Sequence, residues 1–175
     1  MARKYVMGNR ADGLSDVLQD DELVFPDTAA KALDLWINDS TPADLSATDD
    51  PTIGRKFEHE PPDGGAIFRI VEWAPGTADD ATPEQVRAHH EELHSVHIPS
   101  LEYLRTAKHP SMHRTDTLNY FIVLSGQMWA LSEGRDVLVK PGDVIIQHGC
   151  MHGWRIEGTE PCVMAAVLID AKWPK

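Results

Sequence analysis

Apolar and polar residues alternate in two short segments of the first half of the chain, which is the pattern of half-buried β-strands. In residues 31–39, KALDLWIND, the aliphatic residues Leu33, Leu35 and Ile37 occupy every second position. Residues 66–75, AIFRIVEWAP, alternate in the same way until Pro75 and Gly76 end the run. Each segment therefore predicts one strand with a buried and an exposed face.

The other N-terminal segments have weaker patterns. Tyr5 and Val6 precede a Gly-Asn pair and predict an edge strand. Residues 11–27 are acidic and have no clean periodicity, so we expect mainly loop with one short strand from Glu22 to Phe25. Residues 40–65 are rich in Pro, Gly, Asp and Ser, and they predict a long connection rather than a domain boundary.

One helix is predicted in the middle of the chain. Thr82 has the position of an N-cap, and Pro83 that of the first helical residue. The sequence EQVRAHHEELHSV continues the helix, and Pro99 ends it. Its many charged residues predict a position on the surface.

After this helix the sequence changes to short apolar runs separated by turns. The runs are LNYFIVLSG, QMWALS, DVLVK, DVIIQ and CVMAAVLID. Turn residues lie between them at Ser125-Gly126, Glu133-Gly134 and Pro141-Gly142. Strands of this length at close intervals predict an all-β antiparallel sandwich or barrel rather than alternating β and α units.

The composition is that of one globular domain, with 175 residues, 42% hydrophobic and 25% charged. The formal charge of −12 argues against nucleic acid or an anionic membrane as a partner. No segment approaches the roughly 20 consecutive apolar residues of a spanning helix, and the N-terminus lacks the apolar core of a signal peptide. Together with two cysteines, which we expect to be free thiols, these features predict a cytoplasmic protein.

Two blocks in the last third of the chain carry histidines at a recognisable spacing. The first contains His113, Thr115, Asn119 and Gly126, and the second contains Gly142, Gly149 and His152. These blocks resemble the two motifs of the cupins, the RmlC-like small jelly-roll barrels. The stretches MHRTDT…Y…VLSG and PGDV…HGCMHGW also resemble a recurring subgroup of single-domain cupins.

The resemblance implies a cupin double-stranded β-helix, that is, a jelly-roll barrel. Its core would span residues 110–175. Residues 1–109 would form an extension of extra strands, a long loop and one short helix that packs on the barrel, all within one structural domain. The resemblance further implies a homodimer formed through the sheets.

A pocket is predicted inside the barrel. Residues two apart in a strand face the same side, and in a closed sheet one of these sides is the interior. Alternation thus directs both histidines and their neighbours into a cavity of the kind that binds small molecules. We expect His113 and His152 to be catalytic, and the predicted substrate-binding residues are Thr115, Asn119, Phe121 and Trp154. Arg69 and Arg114 are candidate anchors for a substrate carboxylate, subject to the geometry.

The resemblance also implies a metal site, from which this sequence departs. A typical cupin offers three histidines and a glutamate, whereas Thr115 and Asn119 stand at the places of the second histidine and the glutamate. The remaining candidates, His113, His152 and Asn119, could hold Zn²⁺, Ni²⁺ or Fe²⁺ with open positions but without neutralising its charge. The alternative is a pair of hydrogen-bonded pocket histidines without metal, and the sequence leaves both open.

The sequence favours a small-molecule enzyme of lyase, isomerase or decarboxylase type, chemistries that the resemblance allows. The absence of a carboxylate ligand disfavours a dioxygenase. An alternative is a non-catalytic cupin that binds a small metabolite. A remote alternative is a metalloprotease, because residues 90–94, HEELH, match the H-E-x-x-H zinc motif. The charged helix and the lack of a third ligand favour a solvated helix instead.

Overall fold

The computed structural model describes residues 2–26, 31–46 and 49–173. Within these ranges the chain forms ten β-strands and two short helices, so the all-β prediction is confirmed. Neither helix in the described ranges is long and apolar enough to cross a membrane. In chain order the elements are β1 (Arg3–Asn9), β2 (Ser15–Glu22), β3 (Lys31–Asn38), β4 (Ala66–Trp73), α1 (Pro83–Glu92), α2 (Leu101–Thr106), β5 (Thr117–Ser125), β6 (Met128–Ser132), β7 (Val137–Val139), β8 (Val144–His148), β9 (His152–Ile156) and β10 (Cys162–Asp170).

Strands β1 and β2 form a two-stranded hairpin apart from the larger sheets. The edge strand predicted around Tyr5 is confirmed, but the short strand predicted from Glu22 to Phe25 is wrong. Strand β2 instead ends at Glu22, because its partner Arg3 lies at the start of β1. Backbone pairing across the hairpin therefore fixed a strand that the acidic sequence did not indicate.

Two antiparallel sheets make up the rest of the strands. The larger sheet has the order β3-β4-β10-β5-β8, and the smaller has the order β7-β6-β9. From β5 onward the chain passes repeatedly between the sheets, which is the connectivity of a jelly roll. Alternate residues of β5 and β10 are buried and pack with residues of β6 and β9 in one hydrophobic core. The predicted alternation in β3 and β4 places Ile37 and Ile67 in this core.

The larger sheet contains strands from both sides of residue 110, the boundary that the resemblance implies between the N-terminal extension and the barrel core. Strands β3 and β4 pair directly with each other, and β4 pairs along its whole length with β10. The division into residues 1–109 and 110–175 stays a prediction, but two of the five strands in the larger sheet come from the first part.

Helix α1 begins as predicted. The Thr82 hydroxyl accepts from the Gln85 amide, and the Gln85 side chain accepts from the Thr82 amide, which completes a capping box. The helix ends at Glu92, seven residues before Pro99. Helix α2 is capped by Ser100 and was not predicted, because its six residues are too few to show a helical period.

Candidate functional site: a histidine cluster in the barrel

A cavity of about 940 Å³ opens between the larger sheet, strand β9 and helix α1. The predicted site residues all line it: His113, Thr115, Asn119, Phe121, His152 and Trp154. The six side chains that the sequence assigned to one pocket therefore line a single cavity. The structure adds further polar residues to the wall, above all His59 and His90.

His113 and His152 lie side by side because their backbones pair. The His113 amide donates to the His152 carbonyl at 2.8 Å, and the His152 amide donates to the His113 carbonyl at 2.9 Å. Directly opposite residues of an antiparallel pair face the same side. The two imidazole centroids are accordingly 4.2 Å apart.

Gly153 allows this pair to form. A β-carbon at Gly153 would lie 2.6 Å from the Ser111 Oγ and 3.2 Å from the Met112 amide nitrogen. The Ser111 hydroxyl cannot move away freely, since it donates to the Trp154 carbonyl and accepts from the Trp154 amide, both at 2.9 Å. A larger residue at position 153 would push the two segments apart.

Backbone carbonyls fix the tautomers of His113 and His152. The Nδ1 atom of His113 is 2.8 Å from the Ser111 carbonyl oxygen, and that of His152 is 2.9 Å from the Cys150 carbonyl oxygen. A carbonyl oxygen only accepts, so each Nδ1 carries a proton and donates it. In the neutral rings both Nε2 atoms are therefore unprotonated, the state of a base or a metal ligand.

Two further histidines complete the cluster. The ring of His59 lies 5.1 Å from that of His113 and 5.4 Å from that of His90, while the rings of His90 and His113 are 5.2 Å apart. The Nδ1 atoms of His59 and His90 both lie 2.9 Å from the Ser95 Oγ. The expectation of a solvated helix α1 is thus wrong for His90, which is 6% exposed.

The zinc-motif alternative fails at helix α1. The helix ends at Glu92, and His94 lies beyond it with a left-handed φ of 52°. His90 and His94 are therefore not one turn apart on a helix, as the motif requires. His90 contacts the barrel histidines instead.

Arg69 on β4 positions His59. Its guanidinium forms a bidentate ion pair with Asp34, with Nε–Oδ1 and Nη2–Oδ2 distances of 2.5 and 3.2 Å. It also donates to the carbonyls of Glu58 and His59, at 2.6 and 3.3 Å, and lies 4.1 Å from the centroid of the Phe57 ring. Arg69 is 4% exposed and committed to these partners. It therefore holds the 57–59 loop rather than serving as a carboxylate anchor.

The other candidate anchor, Arg114, does not line the cavity. It lies beside His97 and Asp116 outside the pocket. On the cavity wall the Arg69 charge is compensated by Asp34, and Glu72 pairs with Lys31 at 2.8 Å. The described lining residues thus offer no uncompensated positive charge to a substrate carboxylate.

The four clustered histidines are neutral near pH 7. Burial lowers the pKa of His59 and of His152 well below its usual value, and the neighbouring His113 lowers both further. Burial and His113 lower the pKa of His90 to about 4. Burial also lowers the pKa of His113, although the Ser111 carbonyl opposes this shift. Charging any of these rings would place an imidazolium in a desolvated site.

Asn119 has an unpaired oxygen in the cavity wall. Its Nδ2 donates to Gln147 Oε1 at 2.9 Å, while its buried Oδ1 has no partner within the part of the chain that the structure describes. Buried acceptors without a partner are rare in folded proteins. Thr115, by contrast, shares a 2.6 Å hydrogen bond with Thr117.

The rest of the wall is mainly apolar. Trp154 lies between Trp73 and Phe121, with ring centroids 5.8 and 5.2 Å apart, and its ring is 5.8 Å from that of His152. Aliphatic residues from α1, β4 and β10 extend this surface. One side of the cavity therefore presents imidazoles and the other aromatic and aliphatic groups, a build suited to a small amphipathic molecule.

Metal binding was tested against the donors. In residues 2–26, 31–46 and 49–173 no group of three His, Cys, Asp or Glu side chains is arranged to hold a metal ion. The predicted set of His113, His152 and Asn119 instead combines two imidazoles with an amide. Its unprotonated Nε2 atoms and the unpaired Asn119 oxygen fit a cation chemically, as a weak neutral set.

Sequence reasoning missed His59, His90 and Ser95. His90 follows Val86 by four residues, and both are buried on one face of α1, so the helical period carried a signal for His90. His59 lies in the Pro- and Gly-rich connection, where no pattern indicates a direction. Ser95 follows the helix in a short irregular segment and has no distinguishing neighbour.

Comparisons with known proteins give two kinds of relative. No family model matches the chain. Among curated proteins it is similar to Phomopsin biosynthesis cluster proteins C′ and D of Diaporthe leptostromiformis, each 29% identical over 121 residues. The match covers 66% of this chain and 48% of each relative, so the chain spans about half the length of the curated relatives it matches.

Solved structures similar to this chain include several cupins. The Cnp3 cupin domain of Schizosaccharomyces pombe is 11% identical, with 97% of this chain and 88% of that chain covered and a TM-score of 0.48. A cupin 2 conserved barrel domain protein of Salinispora arenicola is 15% identical, with coverages of 85% and 82% and a TM-score of 0.42. An RmlC-like cupin of Methanocaldococcus jannaschii is 8% identical, with coverages of 60% and 70% and a TM-score of 0.38. At these values the likeness says nothing about activity.

Proposed function

We propose that this protein is a cupin-type enzyme that binds a neutral, largely apolar small molecule and moves protons on it with His113 and His152. The observation that carries the proposal is the pair of Nε2 atoms left unprotonated by the Ser111 and Cys150 carbonyls inside a mainly apolar cavity. Unprotonated imidazoles held rigidly beside a substrate are suited to general base catalysis. After accepting a proton, either ring can return it as a general acid.

The cavity supports a neutral substrate. Its volume of about 940 Å³ lies in the range of ordinary ligand sites. Arg69 is occupied by Asp34, so a substrate carboxylate would lose its hydration without gaining a charged partner. Among the predicted chemistries this favours lyase or isomerase reactions over decarboxylation. The names of the two curated relatives, which refer to a biosynthesis cluster, agree with small-molecule metabolism.

The other predicted site residues take supporting roles. Asn119 forms part of the cavity wall, where its donation to Gln147 holds it in place. Phe121 and Trp154 provide the apolar surface for the substrate body. Thr115 is engaged with Thr117 and orients the wall beneath the substrate.

A divalent Zn²⁺, Ni²⁺ or Fe²⁺ ion remains part of the proposal. His113, His152 and Asn119 would hold it, and it would act as a Lewis acid on a substrate oxygen. We expect weak binding because the donors are neutral. Metal analysis of the purified protein, with His113→Gln and His148→Gln compared, tests this: retention of a stoichiometric ion in wild type and its loss only in His113→Gln supports the site. Equal metal content in both variants contradicts it.

The catalytic proposal is tested by proton exchange on a simple neutral probe. Acetophenone deuterated on its methyl group should lose deuterium to water faster with the protein than without it. Replacing His113 or His152 by Gln should slow this loss about 100-fold, since that is the usual worth of a positioned base. His148→Gln is the matched control, because His148 is exposed on β8 and does not line the cavity.

The substrate charge is tested with benzoate, which differs from acetophenone mainly in its carboxylate. Calorimetry should find acetophenone bound more tightly. Equal or tighter binding of benzoate would show that the neutral-substrate proposal is wrong.

A second candidate function is a non-catalytic binding module. The mainly apolar wall of the cavity serves binding without chemistry equally well. Binding of acetophenone without any acceleration of deuterium loss, in wild type and both variants alike, would favour this function.

A homodimer is proposed as the assembly. The outer face of β5 and β8 exposes a row of apolar side chains that face each other across the strands: Tyr120, Ile122, Leu124, Val144 and Ile146. A second copy covering this face would remove it from water. Light scattering should show a dimer that Ile122→Glu disrupts, whereas Val137→Glu, on the smaller sheet, should not. A monomeric wild type would contradict the proposal.

A further inference from the structure

The hydroxyl of Ser95 joins His59 and His90, which the proposed reaction does not use. Both Nδ1 atoms are 2.9 Å from the Ser95 Oγ, and Ser95 is only 6% exposed. Both rings line the cavity. Their Nε2 atoms have no hydrogen-bond partner within residues 2–26, 31–46 and 49–173, and so remain available to a ligand.

We propose that His59, Ser95 and His90 form a neutral proton relay that takes a proton from a bound α-hydroxy ketone at one imidazole and delivers one at the other. The inference rests on the proposed function for the bound substrate, but it assigns three residues and a ligand class to the second half of the cluster.

Among the described residues the Ser95 hydroxyl has no hydrogen-bond partner other than the two rings, so its one proton goes to one of them and the rings take opposite tautomers. Ser95 donates it to one Nδ1, which must be unprotonated, so that neutral ring carries its proton on Nε2. The Ser95 oxygen accepts from the other Nδ1, which is therefore protonated, so the Nε2 of that ring is bare. The pair thus presents one donor and one acceptor to the cavity, with ring centroids 5.4 Å apart.

The transfer balances without leaving a charge. The bare Nε2 takes the proton of the hydroxyl-bearing carbon, the C–H electron pair becomes the C=C bond of an enediol, and the carbonyl π pair moves to its oxygen. The Nδ1 proton of the same ring passes to the Ser95 oxygen. The Ser95 proton passes to the second Nδ1, and the second ring gives its Nε2 proton to the carbonyl oxygen of the substrate. One proton enters and one leaves, both rings end neutral with exchanged tautomers, and the relay is set for the reverse direction.

A neutral relay suits this position in the protein. His59 is packed against His113 and His90 and next to the Arg69 guanidinium that holds its carbonyl. Glu60 is the acidic group nearest to it, at 4.0 Å from His59 Nδ1, which is too long for a hydrogen bond. A lasting imidazolium would be desolvated and weakly compensated there.

The ligand class follows from the donor and acceptor. A hydroxyl beside a carbonyl offers one donor and one acceptor to match the two Nε2 atoms. A proton moved from the hydroxyl-bearing carbon to the carbonyl oxygen converts such a molecule to an enediol, so the relay fits an isomerase. The aromatic wall around Trp154 accommodates an apolar body.

The first test needs no ligand. Long-range ¹H–¹⁵N spectra of histidine-labelled protein, treated with chelator, report which nitrogen of each ring is protonated. We expect His59 and His90 to show opposite tautomers, or fully averaged signals if the relay interconverts quickly. Two rings that are both stably protonated at Nδ1, as shared metal binding would require, would overturn the relay.

Variants of Ser95 separate the relay from simple packing. Ser95→Ala should fold, as checked by amide spectra, and should shift the tautomer signals of both rings. Ser95→Thr keeps the hydroxyl and should restore them. Unchanged signals in Ser95→Ala would overturn the role of Ser95, whatever the behaviour of Ser95→Thr.

The second test uses 2-hydroxyacetophenone against acetophenone, which lacks the hydroxyl. Wild-type protein should bind 2-hydroxyacetophenone about tenfold more tightly, the usual worth of one hydrogen bond to a buried polar group. Ser95→Ala should lose this difference and keep its affinity for acetophenone. Equal binding of both probes by wild type would overturn the ligand class, while absence of binding of either probe would contradict the proposed function as well.

Exchange of deuterium from the carbon next to the hydroxyl gives the readout specific to transfer. With the relay, its rate should fall at least tenfold in Ser95→Ala. A rate that is unchanged in Ser95→Ala would overturn the relay.

Discussion

The cavity contains two pairs of histidines that are held in different ways. His113 and His152 belong to the barrel: their backbones are paired, and each Nδ1 is fixed by a carbonyl two residues away in sequence. His59 and His90 come from a loop and a helix, and a shared serine hydroxyl joins them. A carbonyl permits one tautomer, whereas a hydroxyl permits two.

The difference makes the His113–His152 pair rigid and the His59–His90 pair adaptable. The barrel pair is determined by strand register, because any residues in the His113–His152 bridge would face the same side. The pair of His59 and His90 depends on contacts between residues far apart in the sequence, above all those of Arg69 with the 57–59 loop. Disturbing one support should therefore leave the other pair in place, as the following changes test.

The largest effect is expected from Arg69→Met. It leaves the largely buried carboxylate of Asp34 without its positively charged partner. It also removes the hydrogen bonds to the carbonyls of Glu58 and His59. Such a loss destabilises a protein by about 3–5 kcal/mol. Urea unfolding measures this cost, and imidazole ¹⁵N spectra should show a changed His59 but an unchanged His113. Arg114→Met, outside the cavity, is the control and should cost under about 1 kcal/mol.

Gly153→Ala should disturb the opposite pair. The added methyl would lie 2.6 Å from Ser111 Oγ and within 3.2 Å of the Met112 backbone, so the bridge between His113 and His152 must open. We expect a loss of about 1–3 kcal/mol, with changed spectra of the barrel pair. Gly134→Ala meets nothing closer than 3.9 Å and should be nearly neutral. Equal stabilities of the two variants would contradict the close-approach explanation.

Acidification should destabilise the metal-free protein. The cluster histidines have folded-state pKa values below those of the unfolded chain, about 4 for His90, so the unfolded state binds more protons. Their contribution is complete above about pH 6.5 and is lost progressively as the pH falls toward the folded pKa.

Each such imidazole adds at most about 1.4 kcal/mol per pH unit to the slope of unfolding free energy against pH. Urea unfolding between pH 7 and 5 should show a shallower slope in His90→Gln than in wild type. That comparison cancels other groups, including Glu60, whose pKa burial raises. Parallel slopes would mean that His90 is not held neutral in the cluster.

The smallest effect is expected at the second histidine of the HEELH segment. His94 lies outside α1 in a left-handed conformation that asparagine adopts readily. His94→Asn should change the unfolding free energy by less than about 0.5 kcal/mol and leave metal content and probe binding unchanged. If His94→Asn lost probe binding and His90→Gln kept it, the conclusion that His90 belongs to the cavity cluster and His94 does not would be wrong.

Much of the fold followed from local patterns in the sequence. Period-2 alternation in β3, β4 and β5 determined which side chains face the core, and the Thr82-Pro83 pair determined where α1 begins. Strand β2 and helix α2 were not predicted, because β2 is acidic and α2 has only six residues. Local preference is decisive where each residue can satisfy its backbone and bury its apolar face within a few neighbours.

The sequence by itself determined the barrel half of the site. Asn119, Phe121, His152 and Trp154 lie on strands whose alternation points them into the cavity, and His113 joins them through its bridge to His152. Only the tertiary structure decided that His59 and His90 join them. Their positions depend on the Arg69–Asp34 ion pair and on Ser95. Arg69 and Asp34 are 35 residues apart in the sequence, and Ser95 and His59 are 36 residues apart. No periodicity in a loop or a charged helix encodes contacts over that distance, because they arise when separate elements pack together.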